Sequence, residues 1–166
     1  MQIRAQFLGG AGALLLFAGM AAAGAGQAAA AAQPQVIELT QVACQFLESE
    51  NGVDRDFQTA KKADCEAINA KTGAERLADA KVLTLKPGRY IFRVTNLDVP
   101  YELGFWLREH DYNWKNPLDK LTKTSVSGGG LTTGATKDYE VELEPGDYLY
   151  SCPLNPTPDY KLVVAN

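Results

Sequence analysis

Along RYIFRVTN (89–96), Tyr90, Phe92 and Val94 alternate with Arg89, Ile91 and Arg93. That period of two turns one strand face to a core and the other to solvent. KDYEVELE (137–144) repeats it, with Glu140, Glu142 and Glu144 on the solvated face rather than paired for catalysis. KVLTL (81–85), YELGFWL (101–107), DYLYSC (147–152) and YKLVVA (160–165) read as further short strands. Residues 35–46, rich in β-branched side chains, read as the opening strand. Pro87-Gly88 and Pro145-Gly146 mark turns. Residues 56–80 break the pattern: FQTAKKADCEAINAKTGAERLADA is rich in Ala, Lys and Glu and predicts a helix, with Gly73 breaking it or ending its first piece. Residues 109–127 are polar with isolated aromatics and read as a loop, which Gly128, Gly129 and Gly130 punctuate. Short strands separated by Gly and Pro turns predict an all-β antiparallel sandwich or barrel, with the helix as an insertion after the first strand.

Composition adds a compartment. Arg4 precedes an apolar run from Phe7 to Met20, and an Ala/Gly-rich stretch to Ala32 follows, which together read as a secretory signal peptide over residues 1–32. A retained N-terminal anchor is the rival reading. The mature domain then spans 33–166 and lies outside the cytoplasm, in a periplasmic or similar space. Both methionines, Met1 and Met20, fall in the leader, and His110 is the only histidine. The 166-residue chain carries a formal net charge of −4 with mixed signs and no basic stripe, which argues against nucleic acid or anionic lipid as a partner. Cys44, Cys65 and Cys152 are an odd number of thiols in a compartment that oxidises them.

Three segments carry a family resemblance. NLDVPYELGF (96–105), SGGGLTTGATKDYEVELEPGDYLYSC (127–152) and CPLNPTPDYKLVV (152–164) resemble, in order and spacing, the ligand-bearing stretches of the cupredoxins, with amicyanin- or plastocyanin-like spacing. The resemblance implies a Greek-key cupredoxin-like β-sandwich and covers residues 81–166 well, but not the helical insertion. Carried over by position, it puts Tyr101 and Asn155 where the family has histidine ligands and Pro158 where it has the axial methionine. Only the thiolate position, Cys152, is kept. A blue-copper centre needs two imidazoles with the thiolate. One histidine and no mature methionine cannot supply that set, so the chain reads as a degenerate member.

Three roles remain open for Cys152: a buried structural thiol; a metal ligand helped by Glu102, Asp159, His110 or a second chain; and a redox-active or intermolecular thiol. No basic neighbour in the sequence would lower its pKa. With Cys152 assigned by the resemblance to an end loop, Cys44 and Cys65 are expected to pair, which would stabilise the fold by about 3 kcal/mol. Trp106 and Trp114 either anchor a partner or pack an insertion onto the sandwich. Gly-x-Ser-x-Gly, phosphate-loop and His-rich metal patterns are all missing from the sequence, so no enzyme is expected. Nor is a cofactor expected, copper being the one metal left open. The function expected is that of an exported accessory domain that docks to a protein partner, such as a membrane or redox complex. The alternative is a copper-binding or electron-transfer protein with atypical ligands centred on Cys152.

Overall fold

A computed structural model describes residues 33–166. The leader read over residues 1–32 lies outside the described residues. The alternating segments form nine strands: β1 (Gln35–Val42), β2 (Gln45–Phe46), β3 (Leu83–Leu85), β4 (Gly88–Asn96), β5 (Leu103–Glu109), β6 (Ser125–Leu131), β7 (Thr136–Leu143), β8 (Gly146–Ser151) and β9 (Tyr160–Val164). Two helices, α1 (Lys62–Asp79) and the single turn α2 (Asp119–Thr122), and a short 3-10 turn at Glu48–Glu50 complete the described residues.

The strands build two sheets, ordered β2-β1-β4-β7 and β3-β9-β8-β5-β6. The chain crosses between the sheets after β4 and returns after β6, as a Greek-key sandwich requires. The inward faces of both sheets meet in one core, centred on Phe46, Phe92, Phe105, Tyr139, Tyr150 and Tyr160, all buried. Phe105 touches four of those rings, at centroid separations of 5.0 to 6.5 Å. The alternation in β4 and β7 is as the sequence reads: Tyr90, Phe92, Val94, Tyr139, Val141 and Leu143 are buried, and Glu140, Glu142 and Glu144 are exposed.

Four local expectations need correction. First, residues 35–46 are a hairpin, not one strand. Cys44 takes a left-handed conformation (φ 62°), which reverses the chain and folds β2 antiparallel onto β1. Second, the sandwich is mixed. β1 lies parallel to β4, and β3 parallel to β9. A parallel pair needs a long crossover, and the 45-residue segment 43–87, which contains α1, supplies it between β1 and β4. Third, Gly73 does not interrupt α1, because glycine costs an interior helix only about 1 kcal/mol and other contacts exceed that. Fourth, the loop that begins at Glu109 ends before Ser125. The glycine run lies inside β6, where a bulge shifts the register between Leu103↔Leu131 and Phe105↔Gly128.

The insertion is held by polar and covalent contacts more than by apolar ones. Asp64 accepts the N–H groups of Ala60 and Lys61 at 2.8 and 3.0 Å and so starts the helix. Cys65, Asn69, Gly73 and Arg76 then recur every three or four residues along one face. Cys65 forms a disulfide with Cys44, as expected. Asn69 donates to the Pro156 carbonyl. Arg76, 1 % exposed, bonds the Glu50 carboxylate and the Cys44 carbonyl. The whole segment is thereby pinned across one end of the sandwich.

Candidate functional site

Cys152 directly follows β8 and is 1 % exposed. Its sulfur accepts two backbone N–H groups, from Gly104 at 3.3 Å and from Asn155 at 3.1 Å. Its own N–H donates to Thr157 Oγ1 at 3.1 Å, which closes the loop 152–157 on itself. Burial pushes the thiol pKa up, and the N–H donors only partly oppose that. Cys152 therefore rests as a neutral thiol near neutral pH.

Asn155, fully buried, is the centre of this end of the molecule. Its Oδ1 accepts the Cys44 N–H at 2.9 Å and the Tyr101 hydroxyl at 3.1 Å. The disulfide sulfur of Cys65 lies 3.1 Å from the same oxygen. Its Nδ2 donates to the Val42 carbonyl at 2.9 Å. The Tyr101 hydroxyl also meets Thr59 Oγ1 at 3.1 Å and lies 3.8 Å from the Cys65 sulfur. Burial raises the Tyr101 pKa, so the phenol stays protonated. Pro158 is buried, and its carbonyl accepts the Thr157 hydroxyl at 3.0 Å.

The structure thus brings Cys152, Asn155 and Tyr101 to one end, with the disulfide beside them. It does not bring the other candidates to Cys152 as ligands. Glu102 is exposed and accepts the Gly130 N–H at 2.7 Å. Asp159 pairs with Arg108 at 2.8 Å. His110 bonds through its backbone to Asp147 at the start of β8, whereas Cys152 follows the end of that strand. Five residues of extended chain separate those points by about 17 Å.

Copper, which the fold suggests, does not fit this donor set. The carboxamide oxygen at position 155 already accepts two hydrogen bonds and lies against the Cys65 sulfur, the phenol at 101 is one of its donors, and the imidazole is at the other end. Among the described residues no group of three His, Cys, Asp or Glu side chains is placed to hold a metal ion.

Several participants were not evident from sequence. Gly104, rather than Tyr101, touches the thiol. Gln41, buried beneath it, donates from Nε2 to the Gly104 carbonyl at 2.8 Å, and its Oε1 has no hydrogen-bond partner among the described residues. Glu50, Arg76 and Tyr160 form a buried cluster behind the disulfide. No sequence signal marks Glu50 or Arg76, since each lies in a segment of ordinary solvated composition.

Beside this end is an open groove of about 480 Å³, lined among others by Trp106, Tyr112, Trp114, Gly129, Pro153 and Leu154. Trp106 lies on the outer face of β5, half-buried and held in place: its Nε1 bonds Ser125 Oγ at 3.0 Å, the Arg108 guanidinium covers its ring at 4.0 Å, and Tyr112 meets it edge-on. Trp114 is 58 % exposed, with the Lys115 ammonium near its ring.

No family model matches the chain, and no curated protein matches it in sequence. Among solved structures it is similar to auracyanin B, at 13 % identity and TM-score 0.50, over 82 % of this chain and 94 % of that one. A multi-copper oxidase from Pediococcus acidilactici also matches, at 11 % identity and TM-score 0.40, over 84 % of this chain and 28 % of that one. The first likeness carries the fold: the chain is a cupredoxin-like β-sandwich.

Proposed function

We propose that this cupredoxin-like chain is an exported accessory domain that acts by docking to a protein partner, without a blue-copper centre. The observation that carries the reading is the groove. It joins an exposed indole, Trp114, to Pro153 and the part-exposed Leu154 on the loop that follows Cys152. An exposed indole beside apolar loop residues is the composition enriched at interface hot spots. The disulfide supports an oxidising, extracytoplasmic setting. The unsuited donor set supports a role other than electron transfer.

Site-specific photo-crosslinking in the native host tests this. A photoreactive residue at position 114 or 154 is expected to give one reproducible adduct, while the same group at Glu140, on the far sheet, gives none. No adduct, or the same adducts from every position, overturns the proposal.

One observation favours the alternative, a copper-binding or electron-transfer role centred on Cys152: two backbone N–H groups already point at its sulfur, as a bound thiolate would need. Titration of the full chain with Cu(II) and Cu(I), repeated on Cys152→Ser, decides it. That reading requires stoichiometric binding and a visible thiolate-to-copper band, both lost in the variant.

A further inference from the structure

Two of the three cysteine sulfurs lie against Asn155. Its backbone N–H is on the Cys152 sulfur at 3.1 Å, and its side-chain oxygen is against the Cys65 sulfur at 3.1 Å. A free thiol and a disulfide therefore both contact one residue, in a region closed to solvent. Cys44, Cys65, Cys152 and Asn155 are each no more than 1 % exposed. Asn155 is held in place by the Cys44 N–H, the Tyr101 hydroxyl and the Val42 carbonyl.

We propose that Cys152 and the Cys44–Cys65 disulfide form an internal thiol–disulfide exchange site that Asn155 holds shut. In the step, the Cys152 thiolate attacks the Cys65 sulfur. A Cys65–Cys152 bond forms, the Cys44–Cys65 bond breaks, and its electron pair leaves on Cys44. The proton that Cys152 gave up ends on Cys44, so no outside oxidant or reductant is consumed.

Of the two disulfide sulfurs, the one against Asn155 is that of Cys65. Its side chain faces Asn155 and Tyr101, whereas Cys44 meets Asn155 through its backbone N–H. Exchange would move the covalent anchor of α1 from the β1–β2 turn to the loop 152–157, beside the groove. It would also free Cys44, whose left-handed backbone conformation (φ 62°) is unfavourable for a residue with a side chain. Opposing it are the contacts of Asn155, which must break before the sulfurs can approach. Asn155 is thus a positioning residue: it sets which pair of cysteines is linked.

The test uses the full chain, as wild type, Asn155→Ala, Tyr101→Phe and Cys152→Ala. Each is held in mildly alkaline buffer without added thiol, quenched in acid, alkylated and mapped by peptide mass spectrometry. Wild type should keep Cys152 as the alkylated residue. Asn155→Ala should yield at least about tenfold more of the Cys65–Cys152 peptide, with Cys44 alkylated. Tyr101→Phe removes one hydroxyl from Asn155 and keeps the ring, so it should give an intermediate yield in a chain that still melts cooperatively. Cys152→Ala should give none. Absence of the Cys65–Cys152 peptide from both Asn155→Ala and Tyr101→Phe overturns the proposal. So do comparable amounts of Cys44–Cys152 and Cys65–Cys152, which would mean shuffling through an unfolded chain.

Discussion

At Gly104 a single methyl group would sit 2.7 Å from the Gly128 carbonyl oxygen, closer than a carbon and that oxygen can approach. Gly104→Ala must therefore push β5 from β6 and lift the N–H from the Cys152 sulfur. A loss of about 1–3 kcal/mol in urea unfolding is expected. Gly73 is the opposite case. There an added Cβ would meet only Asn69 Cβ, at 3.6 Å, and the backbone is already helical. Gly73→Ala should raise stability by about 0.5–1 kcal/mol, read as a higher melting temperature. The sequence supplies both glycines without their meaning, since the difference lies in a carbonyl from another strand. The same is true of Asn155 and Tyr101. Spacing located them at the ligand end, but their bonds to the Cys44 N–H and to each other depend on a turn and a disulfide formed elsewhere in the chain.

Besides the Asn69–Pro156 bond, the helix α1 stands on the Cys44–Cys65 disulfide and the buried Arg76–Glu50 pair, and each can be removed separately. Burial works to raise the Glu50 carboxyl pKa, but bonds from Arg76, Tyr160 and Arg55 outweigh it and hold the pKa below the usual carboxylate range. For an acid depressed on folding, the stabilisation is complete above the unfolded value of about 4.3 and disappears as pH falls through the depressed value. Glu50→Gln should leave the Arg76 charge uncompensated and cost about 3–5 kcal/mol at neutral pH. It should also flatten the fall in stability on acidification, measured as unfolding free energy between pH 6 and 2. A wild-type curve no steeper than the variant's would refute the assignment. The helical character of residues 62–79 was readable from composition, yet the stripe that fixes it was not. Cys65, Asn69, Gly73 and Arg76 form no apolar face, so hydrophobic periodicity has nothing to report there.

Across the whole molecule, alternation in β4 and β7 told which faces of those strands are buried, and with the turns it left a sandwich or a barrel, the sandwich being what the family resemblance implied. It could not say which strands are neighbours, and the parallel β1–β4 and β3–β9 pairs came only with the fold. The groove is likewise a product of assembly, since its lining comes from β5, β6 and the loops around Trp114 and Leu154. Its exposed rim can nevertheless be separated from the fold that carries it. Trp114, 58 % exposed and with Lys115 as its ring neighbour, contributes little to the core. Trp114→Ala should therefore shift unfolding free energy by no more than about 0.5 kcal/mol. If the groove is a docking face, the same substitution should weaken capture of the crosslinked partner by about 2 kcal/mol or more, a loss of roughly thirtyfold in affinity. A variant that destabilises the chain as much as it weakens binding would place Trp114 in the fold instead, and would leave the groove without a hot spot.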